Sequence, residues 1–430
     1  MKLETSKGMR DFPPEDKILR NQVVEKLTSV FEKYGYSPIE TPVIERYEVL
    51  SAKAGAGDEA DASKETFRLS DQGNRELGLR FELTLSFARF IGMNPNLKMP
   101  FKRYELGPVF RDGPIKLGRY RQFWQCDVDA VGAKTGLIDS EIIALALDVF
   151  KNLGLDSYIE VNNRKLLKGL IEFAGIDLKK ADSIIITLDK IQKLGVDDVR
   201  KELEQKNISD DKIAKLLSVF NMQGSTAEKL AFLKGILLSE LGKQGISELE
   251  LVFSYLSDEQ KKRVVFNPSL ARGLGYYTGT IFEGFVKDSK VTSSICGGGR
   301  YDDMVSKLLG SDKDFPAIGI SFGLDVICDV MKLSKSIVEK TVSKVFVIPI
   351  KTAMKSFEIV QEFRSAGINT DMDLCERGIS KNLDYANSLG IPFVVFVGPK
   401  ELEAGKVKLR DMVSGKEELL SVKDVIKKLK

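Results

Sequence analysis

The chain of 430 residues contains no histidine and only four cysteines, which excludes several kinds of functional site. Without imidazole, a Ser-His-Asp or Cys-His nucleophile and any histidine-ligated metal site are impossible. Cys126, Cys296, Cys328 and Cys375 are scattered without a C-x-x-C pair. This spacing argues against a zinc ribbon and against a disulfide framework, and it suits a reducing compartment.

The sequence also lacks an apolar run long enough to span a membrane. Its first residues, MKLETSKGMRDFPPED, have no apolar core of the signal-peptide type. We therefore predict a cytoplasmic protein without a membrane partner. Neither sign of charge dominates, with 65 Lys and Arg against 62 Asp and Glu, so any nucleic acid must be held by local basic surfaces. The length and the 43% apolar content predict two or three domains with substantial cores.

The most informative segment is 103–132, RYELGPVFRDGPIKLGRYRQFWQCDVDAVG. Its flanks, Tyr104–Val109 and Gln122–Val128, have the pattern of strands, and the glycines and proline between them are turn residues. The segment brings together Arg111, Arg119, Arg121, Gln125, Asp127 and Asp129. Arginines on strands suit a phosphate, and a nearby Gln and Asp suit an ammonium group or a ring N–H. By composition alone, an ordinary hairpin with surface salt bridges also fits. Only the order of the residues distinguishes a ligand-binding hairpin from an ordinary one.

That order resembles motif 2 of the class II aminoacyl-tRNA synthetases, in its histidyl-tRNA synthetase form. A second segment, 271–283 (ARGLGYYTGTIFE), resembles the R-G-L-D-Y-Y-T-G signature of the same family, with Gly275 in place of the usual Asp. A third segment, 317–323 (AIGISFG), resembles motif 3, which usually ends in an arginine that lies over ATP. This chain has Val326 at that position. Val326 cannot supply that cation, which bears on ATP affinity and on activity. Without a carboxylate at position 275, the loop that holds Arg272 and Tyr277 could be looser.

The resemblance implies an α+β fold with a class II antiparallel-sheet catalytic domain, a helical insertion and a C-terminal α/β anticodon-binding domain. Helical spacing over 17–34, followed by a strand that ends near Thr41–Pro42, resembles motif 1, through which class II synthetases dimerise. We expect a homodimer. The expected divisions are 1–162 and 259–334 for the two parts of the catalytic domain, 163–258 for the mostly helical insertion and 341–430 for the anticodon-binding domain.

The resemblance also implies a histidine–tRNA ligase, which activates L-histidine with ATP to histidyl-adenylate and transfers it to the 3′ end of tRNA(His). Adenylation is compatible with the absence of imidazole, because the nucleophile is the substrate's own carboxylate, ionised at neutral pH. ATP is expected as a substrate with Mg²⁺. No zinc and no metal held by the protein are expected.

Residue roles follow from the same motifs. Glu82 and Thr84, on one side of a segment predicted to be extended, would bind the histidine ammonium together with Gln125. Asp129 and Tyr277 would bracket the two imidazole nitrogens, because a carboxylate and a phenol match one N–H and one bare nitrogen. Tyr276 is either a further histidine contact or a wall of the pocket.

Two arginines, Arg111 and Arg272, are the expected catalytic residues, flanking the α-phosphate of ATP as pyrophosphate leaves. Arg119 would bind the γ-phosphate. Phe123 would stack on adenine, or else it packs in the core. The glycine runs 297–299 and 319–323 would let the backbone pass close to a nucleotide.

Two other classes of function remain as alternatives. One is a non-catalytic, histidine-sensing paralogue that resembles the regulatory subunit of ATP phosphoribosyltransferase. Its relatives lack the anticodon-binding domain and tend to lose the ATP arginines, whereas 342–430 and Arg111, Arg119 and Arg272 are present here. The other is a regulator that senses uncharged tRNA, which would differ by not turning over ATP.

Overall fold

The computed structural model describes residues 2–52, 65–115, 120–273, 275–334 and 339–430. These residues form two compact units. The first comprises the residues up to Arg10 together with Val23–Leu333, and the second comprises Asp11–Gln22 together with Ser334–Lys430. None of the helices within the described ranges is both long enough and apolar enough to cross a lipid bilayer.

The first unit is built on two sheets. Its strands are β1 (Ser37–Pro38), β2 (Ile44–Arg46), β3 (Arg68–Ser70), β4 (Glu76–Leu79), β5 (Phe101–Phe110), β6 (Gln122–Val131), β7 (Ser157–Asn163), β8 (Val264–Phe266), β9 (Thr280–Val286), β10 (Cys296–Arg300) and β11 (Ala317–Gly323). Within the described residues, eight of them form one sheet in the order β1-β5-β6-β11-β10-β9-β7-β8, and β2-β4-β3 form the other. Only the β1–β5 and β7–β8 pairs of the large sheet are parallel among the described strands, so the predicted antiparallel sheet is confirmed.

The hairpin predicted from residues 103–132 is confirmed at the centre of this sheet. β5 pairs with β6 from Phe101 opposite Val131 to Phe110 opposite Gln122. On its other side β6 pairs with β11, which places Asp129 opposite Gly319. Because side chains alternate along a strand, Gln125, Asp127 and Asp129 point to one face of β6, while Cys126 and Val128 point to the other and are buried.

Helices surround the sheet of the first unit. They are α1 (Pro14–Lys33, whose start belongs to the second unit), α2 (Tyr47–Leu50), α3 (Thr84–Met93), α4 (Gly136–Leu153), α5 (Arg164–Phe173), α6 (Ala181–Leu188), α7 (Ile191–Leu194), α8 (Val196–Gln205), α9 (Asp210–Phe220), α10 (Thr226–Ile236), α11 (Glu240–Tyr255), α12 (Asp258–Lys261), α13 (Met304–Leu309) and α14 (Leu324–Ser334), with a 3-10 helix at Leu178–Lys180. Ring contacts of Phe322 on β11 with Phe31 on α1 and Phe150 on α4 show that these two helices pack on the apolar face. The polar face of β6 and β11 is left for the site.

The segment around Thr84 differs from the prediction. An extended conformation was expected through Thr84, but β4 ends at Leu79 and Thr84 is the first residue of α3. The reason is the apolar spacing that follows, since Leu85, Ala88 and Ile91 recur at helical intervals and are all buried. Glu82 therefore lies in the short connection between the strand and the helix.

The second unit contains strands β12 (Val345–Pro349), β13 (Thr370–Met372), β14 (Phe393–Val397), β15 (Val407–Asp411) and β16 (Glu417–Leu420), with helices α15 (Ala353–Ser365), α16 (Ile379–Ser388), α17 (Pro399–Glu403) and α18 (Val422–Leu429). The described strands form one sheet in the order β13-β12-β14-β15-β16. Strands β13, β12 and β14 pair in parallel, whereas β15 and β16 are antiparallel. A tight turn in which the Asp411 carboxylate accepts from the amides of Val413 and Ser414 joins β15 to β16, and such a turn permits only antiparallel neighbours.

Candidate active site

The polar face of the large sheet forms the floor of a cavity of about 830 Å³ in the first unit. Strands β6, β9, β10 and β11 contribute to its lining, together with the start of α3 and the segment before β9. Eight of the ten residues predicted from the sequence line this one cavity. They are Glu82, Thr84, Arg111, Gln125, Asp129, Arg272, Tyr276 and Tyr277.

The other two predicted residues have different positions. Arg119 lies outside the described residues. Phe123 lies on β6, two residues before Gln125, and is not part of the lining. Its ring centroid lies 5.0 Å from the guanidinium carbon of Arg111, and the ring of Phe81 lies 4.2 Å from the same atom. The Arg111 guanidinium thus contacts two aromatic rings, which restricts its movement.

Asp129 is held by two buried partners at the floor. The Arg103 guanidinium, which is fully buried, forms an ion pair of 2.8 Å with one carboxylate oxygen, and the Tyr301 hydroxyl donates to the other. Burial raises the pKa of Asp129, while Arg103 and Tyr301 work in the opposite direction. Because partners hold both of its oxygens, the carboxylate has a fixed position, and it can accept a hydrogen bond from a ligand N–H that is placed correctly.

Gly319 on β11 explains why Asp129 fits there. A Cβ placed on Gly319 would lie 1.9 Å from an Asp129 carboxylate oxygen. The same relation occurs at Gly297 on β10, where a Cβ would lie 1.7 Å from an Nη atom of Arg272. Both glycines belong to the runs that are predicted to let the backbone pass close to a nucleotide. At these two positions, the space over the backbone is filled by the protein's own Asp129 and Arg272.

The Arg272 guanidinium lies next to Gly297 of β10 and forms an ion pair of 2.9 Å with Glu283 of β9. Burial works to lower its pKa, but the neighbouring Tyr277 and Glu283 raise it above its ordinary value. The residue therefore stays cationic in spite of its burial. Tyr276 and Tyr277 are also buried, with ring centroids 4.7 Å apart, and burial raises the pKa of both phenols, so they remain neutral donors.

Gln125, which lines the cavity, carries one of the unsatisfied acceptors of the site. Its amide nitrogen donates to the Ser321 hydroxyl at 3.0 Å, whereas its buried amide oxygen has no hydrogen-bond partner among the described residues. Asp127, two residues along β6, likewise has one buried oxygen without a partner in the described part of the chain. A ligand cation that donates hydrogen bonds would satisfy both oxygens.

Asp127 was missed as a site residue, although it lines the cavity. It stands in the quoted motif between Gln125 and Asp129, and the two-residue alternation of a strand places all three on one face. Burial and the neighbouring Asp129 raise its pKa, and Arg103 opposes them. Glu283 and Asp189 also line the cavity and were not predicted, since both lie outside the motif positions that were assigned roles.

The motif 3 departure is visible in the structure. The Val326 side chain lies 3.5 Å from the place of a Cβ on Gly323, and so it covers the end of β11. The neighbouring Asp325 forms an ion pair of 2.6 Å with Arg10, and its other oxygen accepts from the Trp124 amide at 3.0 Å. Arg10, from the N-terminal segment, therefore pairs with the residue directly before Val326, the position at which motif 3 usually has an arginine.

The buried acids should reduce the stability of the ligand-free protein. Burial raises the pKa of Glu82 from 4.5 to about 7, an effect that nearby Arg111 opposes and Asp129 strengthens. Because the folded pKa is the higher one, the folded state holds the proton longer, and stability falls as the pH rises from about 4.5 to about 7. We expect Glu82→Gln to raise the free energy of unfolding by about 1–3 kcal/mol at pH 8, since one pKa unit corresponds to about 1.4 kcal/mol.

The measurement for this prediction is urea unfolding of both proteins at pH 5.5 and pH 8. The gain from Glu82→Gln should be larger at pH 8. Glu4→Gln, at an exposed N-terminal position, is the control for loss of a carboxylate and should give the same small change at both pH values. An equal gain at both pH values would contradict the assigned titration of Glu82.

Chemically, the cavity combines acids and acceptor oxygens with two held arginines. The acids and acceptors, Glu82, Gln125, Asp127 and Asp129, suit a ligand that carries an ammonium group and a ring N–H. Arg111 and Arg272 suit an anion such as a phosphate or a carboxylate. Such a lining fits a reaction in which an amino acid meets a phosphorylated substrate.

Comparison with known proteins agrees with this chemistry. The family model described as histidyl-tRNA synthetase matches residues 8–327, and the model described as anticodon binding domain matches residues 344–430. The protein named "Histidine--tRNA ligase 1" of Bacillus cereus is 41% identical over 97% of this chain and 97% of its own length. The crystal structure of histidyl-tRNA synthetase from a Nostoc species has a TM-score of 0.87 and 31% identity, covering 100% of this chain and 99% of its own.

One similar structure bears on the alternative function. A Bacillus halodurans protein titled "ATP phosphoribosyltransferase regulatory subunit/histidyl-tRNA synthetase" has a TM-score of 0.74, but it is only 23% identical over 92% of this chain and 98% of its own. At that identity it shares the fold alone. The relatives named as ligases match nearly the whole chain at higher identity, which makes the regulatory alternative the weaker one. The chain therefore belongs to the histidyl-tRNA synthetase family, whose members are aminoacyl-tRNA synthetases that join histidine to tRNA.

Proposed function

We propose that the cavity binds L-histidine and ATP side by side, forms histidyl-adenylate and passes the histidyl group to the 3′ end of tRNA(His). The observation that carries the proposal is the lining itself. Residues from separate parts of the chain, such as Glu82, Asp129 and Arg272, meet in one cavity that offers carboxylates for a cation and arginines for a phosphate.

The histidine ammonium would be held by Glu82, Thr84 and Gln125. The Gln125 amide oxygen, which has no hydrogen-bond partner among the described residues, supports this role, because an ammonium group has three N–H donors and needs acceptors. Asp127, two residues along the same strand, adds a second acceptor oxygen without a partner in the described part of the chain. When the ammonium binds, the acids gain a counter-charge, so binding should favour their ionised form.

Asp129 and Tyr277 would form hydrogen bonds with the two imidazole nitrogens. Tyr276, packed beside Tyr277, would form part of the pocket wall. Asp129 is fixed by Arg103 and Tyr301, which supports a role as the acceptor for a ring N–H. Tyr277 keeps its proton because burial raises its pKa, so its hydroxyl can donate to the bare ring nitrogen. A ring without matching nitrogens would leave buried polar groups unpaired, which disfavours other amino acids.

The phosphate chemistry would rest on Arg111 and Arg272. The histidine carboxylate attacks the α-phosphorus, an O–P bond forms, and the bond to the departing pyrophosphate breaks. Two fixed cations beside the α-phosphate stabilise the negative charge that develops in this step. We assign Arg119 to the γ-phosphate and Phe123 to the adenine ring. ATP would enter as its magnesium complex, in which the metal neutralises phosphate charge, and no zinc is assigned a role.

Other parts of the chain would serve the tRNA and the assembly. We assign residues 341–430 to anticodon binding and 163–258 to a helical insertion near the acceptor stem, with 1–162 and 259–334 forming the catalytic domain. The motif 1 resemblance supports a homodimer, which sedimentation can test. The four cysteines are scattered without a C-x-x-C pair, a spacing that suits a reducing compartment and supports action in the cytoplasm.

The test of the proposed function is exchange of labelled pyrophosphate into ATP by the purified protein, measured with each amino acid in turn. Exchange with histidine alone is expected, followed by charging of a tRNA(His) transcript. Histidine binding without any exchange would contradict the proposal and favour the histidine-sensing alternative. Activity would also show that Val326 is compatible with ATP binding.

Tyr277→Phe isolates the contribution of one hydroxyl to histidine recognition. The ring is retained, so packing against Tyr276 should persist, while the donor to the imidazole is lost. We expect kcat/KM for histidine in the exchange assay to fall about 10–100-fold, the usual range for one missing hydrogen bond in a buried site. The KM for ATP should change less than twofold. Tyr255→Phe, at an exposed position on α11, is the matched control.

A further inference from the structure

A turn within residues 163–258, called the helical region below, contributes to the cavity lining. Asp189 and Lys190 connect α6 to α7, and both belong to the lining. The Asp189 carboxylate lies beside Gly273, the residue after Arg272, where one of its oxygens is 2.9 Å from the place that a Cβ would take. The carboxylate therefore lies directly against the backbone that follows Arg272.

The segment that receives this carboxylate carries much of the proposed chemistry. Residues 271–279, ARGLGYYTG, include Arg272, Tyr276 and Tyr277, and their only charged side chain is that of Arg272. Glu283 pairs with the Arg272 guanidinium from β9. This ion pair restrains the Arg272 side chain only. The backbone of residues 271–279 must therefore be held by other parts of the chain.

A second contact comes from the same helical region. Arg164, buried at the start of α5, donates to the Arg272 carbonyl oxygen at 3.4 Å and forms an ion pair of 3.3 Å with Asp182 of α6. The Asp189 charge adds to the attractions that raise the pKa of Arg272, after those of Tyr277 and Glu283. Helix α5, through Arg164, and the α6–α7 turn, through Asp189, thus contact the Arg272–Gly273 backbone at two adjacent points.

The position of Asp189 is itself restrained. The neighbouring Lys190 forms an ion pair of 2.8 Å with Glu202 of α8, and the Thr187 hydroxyl donates to the same carboxylate at 2.8 Å. These contacts anchor both sides of the α6–α7 turn to α8. A displacement of the turn would therefore displace the Asp189 carboxylate from the Arg272 segment.

We infer that Asp189 is a positioning residue for adenylation, a carboxylate supplied by the helical region that holds the Arg272–Tyr277 segment in its productive place. The inference rests on the proposed function. It makes the helical region a part of the active site, and it predicts that a change in the α6–α7 turn alters the rate of histidine activation through Arg272.

The test uses Asp189→Asn in the full chain, with Asp198→Asn on the exposed surface of α8 as the control for loss of one charge. We expect Asp189→Asn to lower kcat of histidine-dependent pyrophosphate exchange about 10–100-fold, with the histidine KM within twofold of the parent. Asp198→Asn should match the parent. Asp189→Asn activity within twofold of the parent would overturn the inference.

A double variant separates positioning from general structural damage. If Asp189 acts through Arg272, Asp189→Asn should cause little further loss in an Arg272→Gln protein, because the group it positions is already gone. Full multiplication of the two losses would contradict the inference. If Asp189→Asn melts well below the parent, Asp189→Glu, which retains the carboxylate, must recover activity for the inference to stand. A parent protein without histidine-dependent exchange would instead refute the proposed function.

Discussion

Gly297→Ala is expected to lower the rate of histidyl-adenylate formation about 10²–10³-fold while the protein remains folded. The new Cβ would lie 1.7 Å from an Nη atom of Arg272, so the guanidinium must leave its place on β10 and its ion pair with Glu283. The clashing atom is the end of a long side chain, so the strand can persist. Loss of one positioned group that stabilises the transition state typically has an effect of this size.

The measurement is single-turnover formation of histidyl-adenylate, with histidine binding followed separately by calorimetry. Histidine affinity should change little, because Asp129 and Glu82 are untouched. Gly235→Ala is the matched control, since a Cβ there meets no atom within 4 Å and the position lies in helix α10. Normal adenylation by a folded Gly297→Ala protein would show that the observed place of Arg272 is not needed for the reaction.

Asp129→Asn is expected to lower kcat/KM for histidine about 10²–10⁴-fold. The substitution keeps the size of the side chain but removes the charged acceptor that we assign to the imidazole N–H. A site built to pair a ring nitrogen loses a large factor when the pair is mismatched. Stability should also fall, because Arg103 is fully buried and loses its 2.8 Å ion pair.

Pyrophosphate exchange over a range of histidine concentrations measures the first effect, and urea unfolding measures the second. The loss of histidine affinity should exceed any loss of ATP affinity. Asp156→Asn, whose side chain is largely exposed, is the control and should change neither quantity. An unchanged histidine KM in a folded Asp129→Asn protein would exclude Asp129 as the imidazole acceptor.

The acids of the cavity illustrate a conflict between stability and binding. Glu82 and Asp127 are buried with raised pKa values, so the ligand-free protein is destabilised at neutral pH by groups that a cationic substrate would satisfy. Active sites commonly keep such unfavourable groups because binding needs them. Glu82→Gln is expected to stabilise the ligand-free protein and to weaken binding of the histidine ammonium. Both effects come from the removal of the same buried carboxylate.

Local patterns in the sequence were sufficient for the central hairpin and for the family. The pattern of Gln122–Val128 predicted a strand, and the structure has β6 in this place, with Gln125, Asp127 and Asp129 on one face. Such patterns work because side-chain direction in a strand depends only on sequence separation. The same reasoning failed at Thr84, where the helical spacing of the residues that follow decides the conformation.

Contacts between distant parts of the chain were decided only by the tertiary structure. Tyr301 follows β10 and donates to Asp129 of β6, 172 residues earlier in the chain, and nothing in the sequence near either residue signals their meeting. The same holds for Asp189 against Gly273. Residue order and periodicity determined which strands form and which family the chain resembles, because these depend on near neighbours. The register of β6, β10 and β11 decided which glycines make room for Asp129 and Arg272, because only packing across the sheet brings those residues together.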